Sequence, residues 1–220
     1  MGTKTHADIE VDTHTNPRNR RGRRSPEGTR ARIVTLTRAL IAQKGLSGIK
    51  ARTIASEAGL SVGTVYNMFG HLDDLVRLAN GQTYDSLQAN QTKALAAARS
   101  VGASPRVELH ALADAYLDWV VGHHALWSAT LAFNRERQGE APDWYRAKEM
   151  GLLGIIEDAL TDFPKAMSEA ERHTAARALW SSIHGIVTMA MGARALLIPP
   201  DEITAQMRII VDAVAATLEA

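Results

Sequence analysis

Hydroxyl and amide side chains recur at close spacing in one short stretch of this chain. Thr64 and Tyr66 carry hydroxyl groups that suit phosphate oxygens, and Asn67 carries an amide that can pair with the edge of adenine. Val62 can contact a thymine methyl group, and Gly63 lets the backbone come close to a ligand. These residue types favour contact with nucleic acid over covalent chemistry.

A helix-turn-helix is the element that would hold these side chains on one exposed face. The pattern predicts a short helix at 51–58, a turn at Gly59, and a second helix capped by Ser61. Leu60 and Val65 are the apolar residues that would hold the second helix across the first. The N-terminal amides of the second helix would then point outward, towards phosphate. A helical hairpin without a ligand is the alternative.

Charge is distributed unevenly along the 220 residues. Residues 1–70 contain 12 Lys and Arg against 5 Asp and Glu, whereas residues 71–220 contain 13 against 19. The formal net charge of +1 therefore hides a basic N-terminal part, which favours an anionic partner for that part alone. We expect that partner to be double-stranded DNA.

Residues 1–24 have almost no apolar side chains, so they are predicted to form a disordered basic arm. An arginine cluster lies just before the first helix and comprises Arg18, Arg20, Arg21, Arg23 and Arg24. We expect Arg23 and Arg24, together with Arg52 of the helix-turn-helix, to contact DNA. A tail that only increases solubility is the alternative.

The composition is ordinary for a globular protein, with 45% apolar and 22% charged residues. No apolar run reaches the roughly 20 residues that cross a bilayer, and the first residues lack the apolar segment of a secretory signal. The chain contains no cysteine, which excludes disulfides, thiol catalysis and Cys-based zinc sites. We therefore expect a cytoplasmic protein without a membrane partner.

Apolar periodicity is helical nearly everywhere after residue 25, which predicts an all-α fold. Residues 25–70 should form an N-terminal three-helix bundle with the helix-turn-helix, and residues 71–220 a larger helical-bundle domain. Capping signals mark several helix starts, at Ser25-Pro26, Ser104-Pro105, Ser168 with Glu171, and Asp201. The helices of the larger domain are predicted at about 71–99, from 104, and at about 124–133, 142–162, 168–191 and 201–219.

The N-terminal pattern resembles the DNA-binding domain of the TetR family of bacterial transcription regulators over about residues 28–76. The positions that agree at fixed spacing are Ile33, Leu36, Ala39-Leu40, Lys44-Gly45, Arg52, Ile54-Ala55, Ala58-Gly59, Ser61, Gly63-Thr64, Tyr66 and Phe69. The resemblance implies a three-helix DNA-binding domain, a larger domain for dimerisation and effector binding, and usually repression. Val62 and Leu72 replace lysines that are frequent in the family, and the arginines of residues 18–24 compensate in our hypothesis.

A shorter resemblance covers residues 179–185, which are similar to a Trp…His-Gly segment in the effector domain of one TetR subgroup. Related regulators dimerise through their last two long helices, which here are those at 168–191 and 201–219. The residues expected in that interface are Leu179, Ser182, Ile186, Ile210, Val214 and Leu218, with Ala175 and Met189 as further candidates. Packing inside the monomer is the alternative role for each.

Aromatic, methionine and histidine side chains of the larger domain are candidates for an effector pocket, because such residues line apolar cavities with a few polar groups. The candidates are Trp119, His123, Trp127, Phe133, Trp144, Met150 and His184. They favour a small, largely apolar effector, aromatic or with several rings. Packing in the core is again the alternative.

Two other functions compete with a ligand-controlled regulator. The chain lacks a His-Glu-x-x-His motif, a glycine-rich phosphate loop and a Gly-x-Ser-x-Gly motif, so we expect neither catalysis nor a cofactor nor a metal. A regulator whose larger domain serves only dimerisation or protein contacts stays open. If the chain is a ligand-controlled regulator, we expect it to bind a near-palindromic operator as a homodimer. Effector binding would displace the DNA-binding heads through the helix at about 71–99.

Removal of residues 1–24 tests the basic arm. The shortened protein should bind operator DNA more weakly, with a shallower dependence of affinity on salt, because fewer phosphate contacts release fewer counterions. Fluorescence anisotropy titrations at several salt concentrations measure both quantities. Equal affinity and equal slope for the two proteins would rule out an arm that contacts DNA.

Overall fold

The computed structural model describes residues 25–137, 141–192 and 199–220, and this part of the chain contains nine α-helices and no strand. The predicted all-α fold is confirmed. The helices are α1 Pro26–Lys44, α2 Ala51–Ala58, α3 Val62–Phe69, α4 Leu72–Ser100, α5 Pro105–Gly122, α6 His124–Glu136, α7 Asp143–Leu160, α8 Glu169–Met191 and α9 Ile203–Glu219. Short 3-10 helices precede α2 at Leu46–Gly48 and α9 at Pro200–Glu202.

Local capping explains where α1 and α3 begin and where α2 ends. Ser25 caps α1 by accepting a hydrogen bond from the Gly28 amide at 3.1 Å. Ser61 caps α3 by accepting one from the Thr64 amide, also at 3.1 Å. Between α2 and α3, Gly59 takes the left-handed conformation with φ 69° and ψ 37°, which the missing Cβ permits. The predicted turn of the helix-turn-helix is therefore present at Gly59.

The N-terminal core is built from more than the first three helices. Ile33 of α1, Ile54 of α2 and Val65 of α3 are buried at its centre. Buried side chains from α4 and α6 join the same cluster, namely Leu75, Val76, Ala79, Leu126, Ala129 and Phe133. Packing therefore continues across the domain boundary that the sequence placed at residue 70.

The second core lies among α4, α5, α7, α8 and α9. The apolar residues that α5 buries in this core are Leu109, Leu112, Ala113, Tyr116, Trp119 and Val120. α8 begins with the predicted capping box, in which the Glu171 amide donates to Ser168 Oγ at 3.3 Å. In return the Ser168 amide donates to the Glu171 carboxylate at 2.8 Å.

Some helix ends differ from the prediction. Asp201 does not cap α9, because it lies within the 3-10 helix that begins at Pro200, the second of two consecutive prolines, and α9 begins only at Ile203. Ser104 makes no side-chain capping bond to α5, whose start is favoured by the proline at its first position. α6 continues one turn beyond Phe133, to Glu136.

Candidate DNA-binding helix and ligand cavity

Helix α3 presents Tyr66 and Asn67 to solvent and buries Val65 and Phe69. Tyr66 is 45% exposed and Val62 is 36% exposed, and both Gly63 and Asn67 are exposed as well. Val65, on the opposite side, is 2% exposed and packs against the N-terminal core. The face that the sequence analysis assigned to DNA is therefore accessible to a large ligand.

The hydroxyl groups of Ser61 and Thr64 form a pair at the start of α3. Their oxygens lie 2.8 Å apart, and Ser61 Oγ also accepts the Thr64 amide hydrogen. One hydroxyl hydrogen joins the two oxygens, so the other remains free to reach a phosphate. The half-buried Thr64 thus acts together with Ser61 rather than as an independent contact.

Two arginines of α1 hold the helix-turn-helix at the carbonyl ends of its helices. Arg30 donates to the Met68 carbonyl near the end of α3, and its guanidinium lies 4.5 Å from the centre of the Phe69 ring. Arg32 donates to the Ala58 carbonyl at 3.1 Å, at the end of α2. Cations at helix C-termini stabilise the carbonyls that lack a partner there. This positioning role was not predicted from the sequence.

The other predicted DNA contacts are basic residues. Arg52 is exposed on the first turn of α2. Arg23 and Arg24 lie outside the described residues, so their predicted contacts have no structural description.

A cavity of about 310 Å³ lies between α4, α6, α7 and α8. Its volume is near the lower end of the range for small-molecule sites. Its walls are mainly aromatic and aliphatic, and the side chains used below are Tyr84, Trp127, Leu131, Met150 and Trp180. Three polar side chains, Asn134, Glu149 and His184, also line it. An apolar cavity with a few convergent polar groups is the usual form of a ligand site.

One polar end of this cavity is organised around Glu149. The Tyr84 hydroxyl donates to Glu149 Oε1 at 2.6 Å, and the Asn134 amide donates to the same oxygen at 2.9 Å. The Tyr145 hydroxyl donates to Asn134 Oδ1 at 2.8 Å and so fixes the orientation of that amide. Burial, with the neighbouring Tyr145 and Glu149, holds the pKa of Tyr84 far above its ordinary value. Tyr84 therefore remains a hydrogen-bond donor.

The other polar end is His184. The Trp127 indole donates to the Tyr116 hydroxyl oxygen at 3.1 Å, and that oxygen lies 2.7 Å from His184 Nδ1. The buried Tyr116 hydroxyl has no other acceptor among the described residues, so its hydrogen is assigned to His184 Nδ1 and the ring hydrogen to Nε2. Burial lowers the pKa of His184, which favours this neutral form.

Only some of the predicted effector residues line this cavity. Trp127, Met150 and His184 do. Trp119 and His123 lie nearby but stack on each other at 4.5 Å, and the Trp119 indole donates to a serine of α4. Trp119 and His123 therefore pack against each other and do not line the cavity.

Two further effector candidates lie elsewhere. Phe133 is buried in the N-terminal core, where the guanidinium groups of Arg77 and Arg137 lie 5.7 Å and 5.5 Å from its ring centre. Trp144 is 40% exposed at the surface of α7, and its ring lies close to Gly81 of α4. Neither side chain reaches the cavity, because each occupies a different face of its helix.

The residues predicted for a dimer interface divide into two groups. Leu179 and Leu218 are 4% and 6% exposed within the core of their own chain, so they do not form an outer surface. The other four are partly buried on α8 and α9, namely Ser182, Ile186, Ile210 and Val214. Met189 and Ile209 are 49% and 67% exposed on the same two helices.

Two histidines outside the cavity each contact one carboxylate. His110 Nε2 lies 2.9 Å from Asp212, and His173 Nδ1 lies 2.5 Å from Glu157. In the part of the chain that the structure describes, no three His, Asp or Glu side chains are grouped so that they could hold a metal ion. No helix in those ranges is long and apolar enough to cross a membrane.

Two family models match this chain. The model described as bacterial regulatory proteins, tetR family, matches residues 33–79, and the tetracyclin repressor-like C-terminal domain matches residues 109–214. Together they cover well over half of the sequence. The chain belongs to the TetR family. No curated protein matches it significantly, and its similarity to the Trp-His-Gly subgroup stays a prediction.

Solved structures share the TetR-family fold at low sequence identity. A protein of unknown function from Rhodococcus sp. RHA1 has a TM-score of 0.69 at 19% identity, over 87% of this chain and 96% of that one. A TetR transcriptional regulator from the same organism has a TM-score of 0.65 at 16% identity, over 87% and 98%. FadR from Bacillus subtilis, in complex with stearoyl-CoA, has a TM-score of 0.64 at 16% identity, over 84% and 97%.

Glu149 and Asn134 of this cavity were not predicted from the sequence, although each leaves a signal there. Glu149 lies on the inward stripe of α7, four residues after Tyr145 and three before Leu152, both of which are buried. A charged residue within such a stripe is uncommon unless it has a partner or a function. Asn134 follows Trp127 by seven residues, and this spacing places both on one face of α6.

Lowering the pH tests the protonation of His184. Burial holds the pKa of the folded-state imidazole below 6.5, so the unfolded chain takes up a proton before the folded chain does. The stability contributed by neutral His184 is therefore complete above that value, and it is lost as the pH falls through the folded-state pKa. Between about pH 7.5 and about pH 5.5, the Tm of the wild type should fall further than that of His184→Gln. Parallel pH profiles would contradict this assignment.

Proposed function

We propose that this TetR-family protein is a homodimeric repressor that binds near-palindromic operator DNA and leaves it when a small, largely apolar effector binds. The observation that carries the proposal is the outer face of α3, where Tyr66 and Asn67 are exposed while Val65 and Phe69 are buried on the inner face. An exposed amide and phenol on a helix held across another helix suit base edges and phosphates in a major groove.

The surface of α8 and α9 supports the homodimer. Ile209 and Met189 are exposed aliphatic residues on these helices, and the partly buried Ile186 and Ile210 lie on the same two helices. Packing two copies of this helix pair would form a four-helix bundle that removes such side chains from water. The bundle would also set the distance between the two α3 helices and hence the spacing of the operator half-sites.

Helix α6 supports a coupling between effector and DNA. Trp127 and Leu131 line the cavity, whereas Leu126 and Phe133 are buried in the core of the DNA-binding helices. A ligand that displaces the first pair must also displace the second, because all four belong to one helix. This route adds to the one through α4 that the sequence analysis proposed.

An ion pair fixes the end of α6 to the start of α4. Arg137, just after α6, donates to the Asp73 carboxylate through two nitrogens, at 2.6 Å and 3.1 Å. The hydrogen bond from Arg137 lowers the pKa of Asp73. Asp73 lies in the first turn of α4, four residues after the end of α3, so a shift of α6 would reach the DNA-binding helix by a short path.

The structure of FadR with stearoyl-CoA supports the general idea that this fold carries a small-molecule site. The low identity transfers neither that ligand nor its site to the present chain. The aromatic and aliphatic walls of the cavity between α4, α6, α7 and α8 support the apolar part of the proposed effector.

Selection of binding sites from random DNA tests the operator, and Asn67→Ala tests α3. The selected sites should be near-palindromes, and the variant should bind them about 5- to 150-fold more weakly, as expected for the loss of one base contact of about 1–3 kcal/mol. Binding of unrelated DNA should change little. Gln43→Ala removes an exposed amide from α1 and serves as the control. A protein that selects no sequence, or an Asn67→Ala variant with wild-type affinity, would contradict the proposal.

Reciprocal binding measurements test release by an effector. A thermal-shift screen of lipophilic compounds should find a ligand that raises the Tm, because binding to the folded state stabilises it. That ligand and the selected operator should weaken each other's binding by the same factor, within experimental error, because both act on one conformational equilibrium. Independent binding of the two would leave a regulator whose larger domain serves dimerisation or protein contacts only.

A further inference from the structure

Glu149 gives the cavity between α4, α6, α7 and α8 a charge that its other walls do not balance. Among the side chains that line the cavity, Glu149 is the one carboxylate, and none is lysine or arginine. Lys148, the preceding residue, pairs instead with the exposed Asp85 of α4. No Lys, Arg or His nitrogen of the described residues lies within 4.0 Å of the Glu149 carboxylate.

The protein partners of Glu149 are neutral and occupy one of its two oxygens. Tyr84 and Asn134 donate to Oε1, whereas none of the described side chains or amides donates to Oε2. Neutral donors stabilise the ionised carboxylate, but they do not neutralise it. A carboxylate held partly out of water without a cation costs free energy, and a ligand cation would recover part of that cost.

The rings around Glu149 also suit a cation. Tyr84 and Trp127 meet edge to face with their centres 6.0 Å apart, and Trp180 lines the same cavity. The faces of such rings carry negative charge and attract organic cations. His184 does not add positive charge, because its Nδ1 accepts the hydrogen of Tyr116 and the ring is neutral.

We infer that the effector is a protonated organic amine on a flat, apolar body. Its ammonium group binds Oε2 of Glu149, and its body lies between Tyr84, Trp127 and Trp180. The Nε2–H of His184 can donate to an acceptor elsewhere on that body, since the hydrogen has no partner among the described residues. This inference rests on the proposed function, which gives the cavity its role, and it replaces a purely apolar effector with a cationic one. A ligand with a negative charge at this end would be repelled by Glu149.

Three indole compounds of similar size and different charge test the inference, namely tryptamine, the neutral tryptophol and the anionic indole-3-acetate. Calorimetric titration of the full-length protein should give a Kd for tryptamine at least about tenfold lower than that for tryptophol, with indole-3-acetate weakest. Thermal shifts should follow the same order. Equal binding of the three, preference for the anion, or no tryptamine binding would overturn the inference.

Removal of the Glu149 charge tests whether this residue causes the preference for tryptamine over tryptophol. In Glu149→Gln the affinities for tryptamine and tryptophol should become equal within about twofold, because the amide keeps the shape of the side chain and loses its charge. Asp143→Asn removes a charge from the same helix at a side chain that is 94% exposed, and it should keep the wild-type preference. A preference that survives in Glu149→Gln would overturn the assignment. The wild-type series still decides the preferred charge if Glu149→Gln fails to fold.

Operator binding separates this inference from the proposed function. Loss of the amine preference with intact binding of selected DNA would refute the cationic effector alone. Amine preference in a protein that binds no DNA sequence would refute the regulator and leave the cavity assignment in place.

Discussion

Helix α6 is packed into two cores at once, and the behaviour of the whole molecule depends on this double packing. Leu126, Ala129 and Phe133 lie on the face that is buried among the DNA-binding helices. Trp127 and Leu131 lie roughly a third of a turn away and face the cavity. Between the two faces, the buried Thr130 bonds to the backbone of its own helix. Because protein interiors are close-packed, neither face can move without the other.

The direction of the hydrogen bonds around the cavity beside α6 determines which polar groups the cavity presents to a ligand. The Tyr116 hydroxyl accepts from the Trp127 indole, and among the described residues its own hydrogen has no acceptor other than His184 Nδ1. Near the other end, Tyr84 gives its hydrogen to Glu149. The protein thus presents a donor at one position and a carboxylate at another, within otherwise apolar walls. An effector of the proposed kind would have to match both groups, so the polar pair rather than the volume would determine its selectivity.

Short-range signals explain why the helix-turn-helix could be predicted from the sequence. The left-handed Gly59 and the capping Ser61 act within a few residues of their own position, and the structure places both as expected. The start of α9 was predicted wrongly, because a nearby proline pair outweighed the capping tendency of Asp201. Capping and turn preferences therefore predicted helix ends correctly where no neighbouring residue, such as a proline, imposed another conformation.

The site in the larger domain depends on packing between distant helices, which residue types alone do not specify. Phe133 and Trp127 have similar chemistry and lie on one helix, yet they belong to different cores. Glu149 could have been found from its place in an apolar stripe, but its partners Tyr84 and Asn134 come from other helices. The contact between these three residues depends on the tertiary fold.

The anchoring of α2 and α3 by Arg30 and Arg32 has a consequence for how such a protein can change its target. Both guanidinium groups come from α1, which carries neither Tyr66 nor Asn67. Under the proposed function, substitutions along α1 can therefore tilt α2 and α3 by small angles while the candidate DNA-contacting residues Tyr66 and Asn67 stay the same. Related proteins can then come to bind different operators through a change in the tilt of α3, before Tyr66 or Asn67 is substituted.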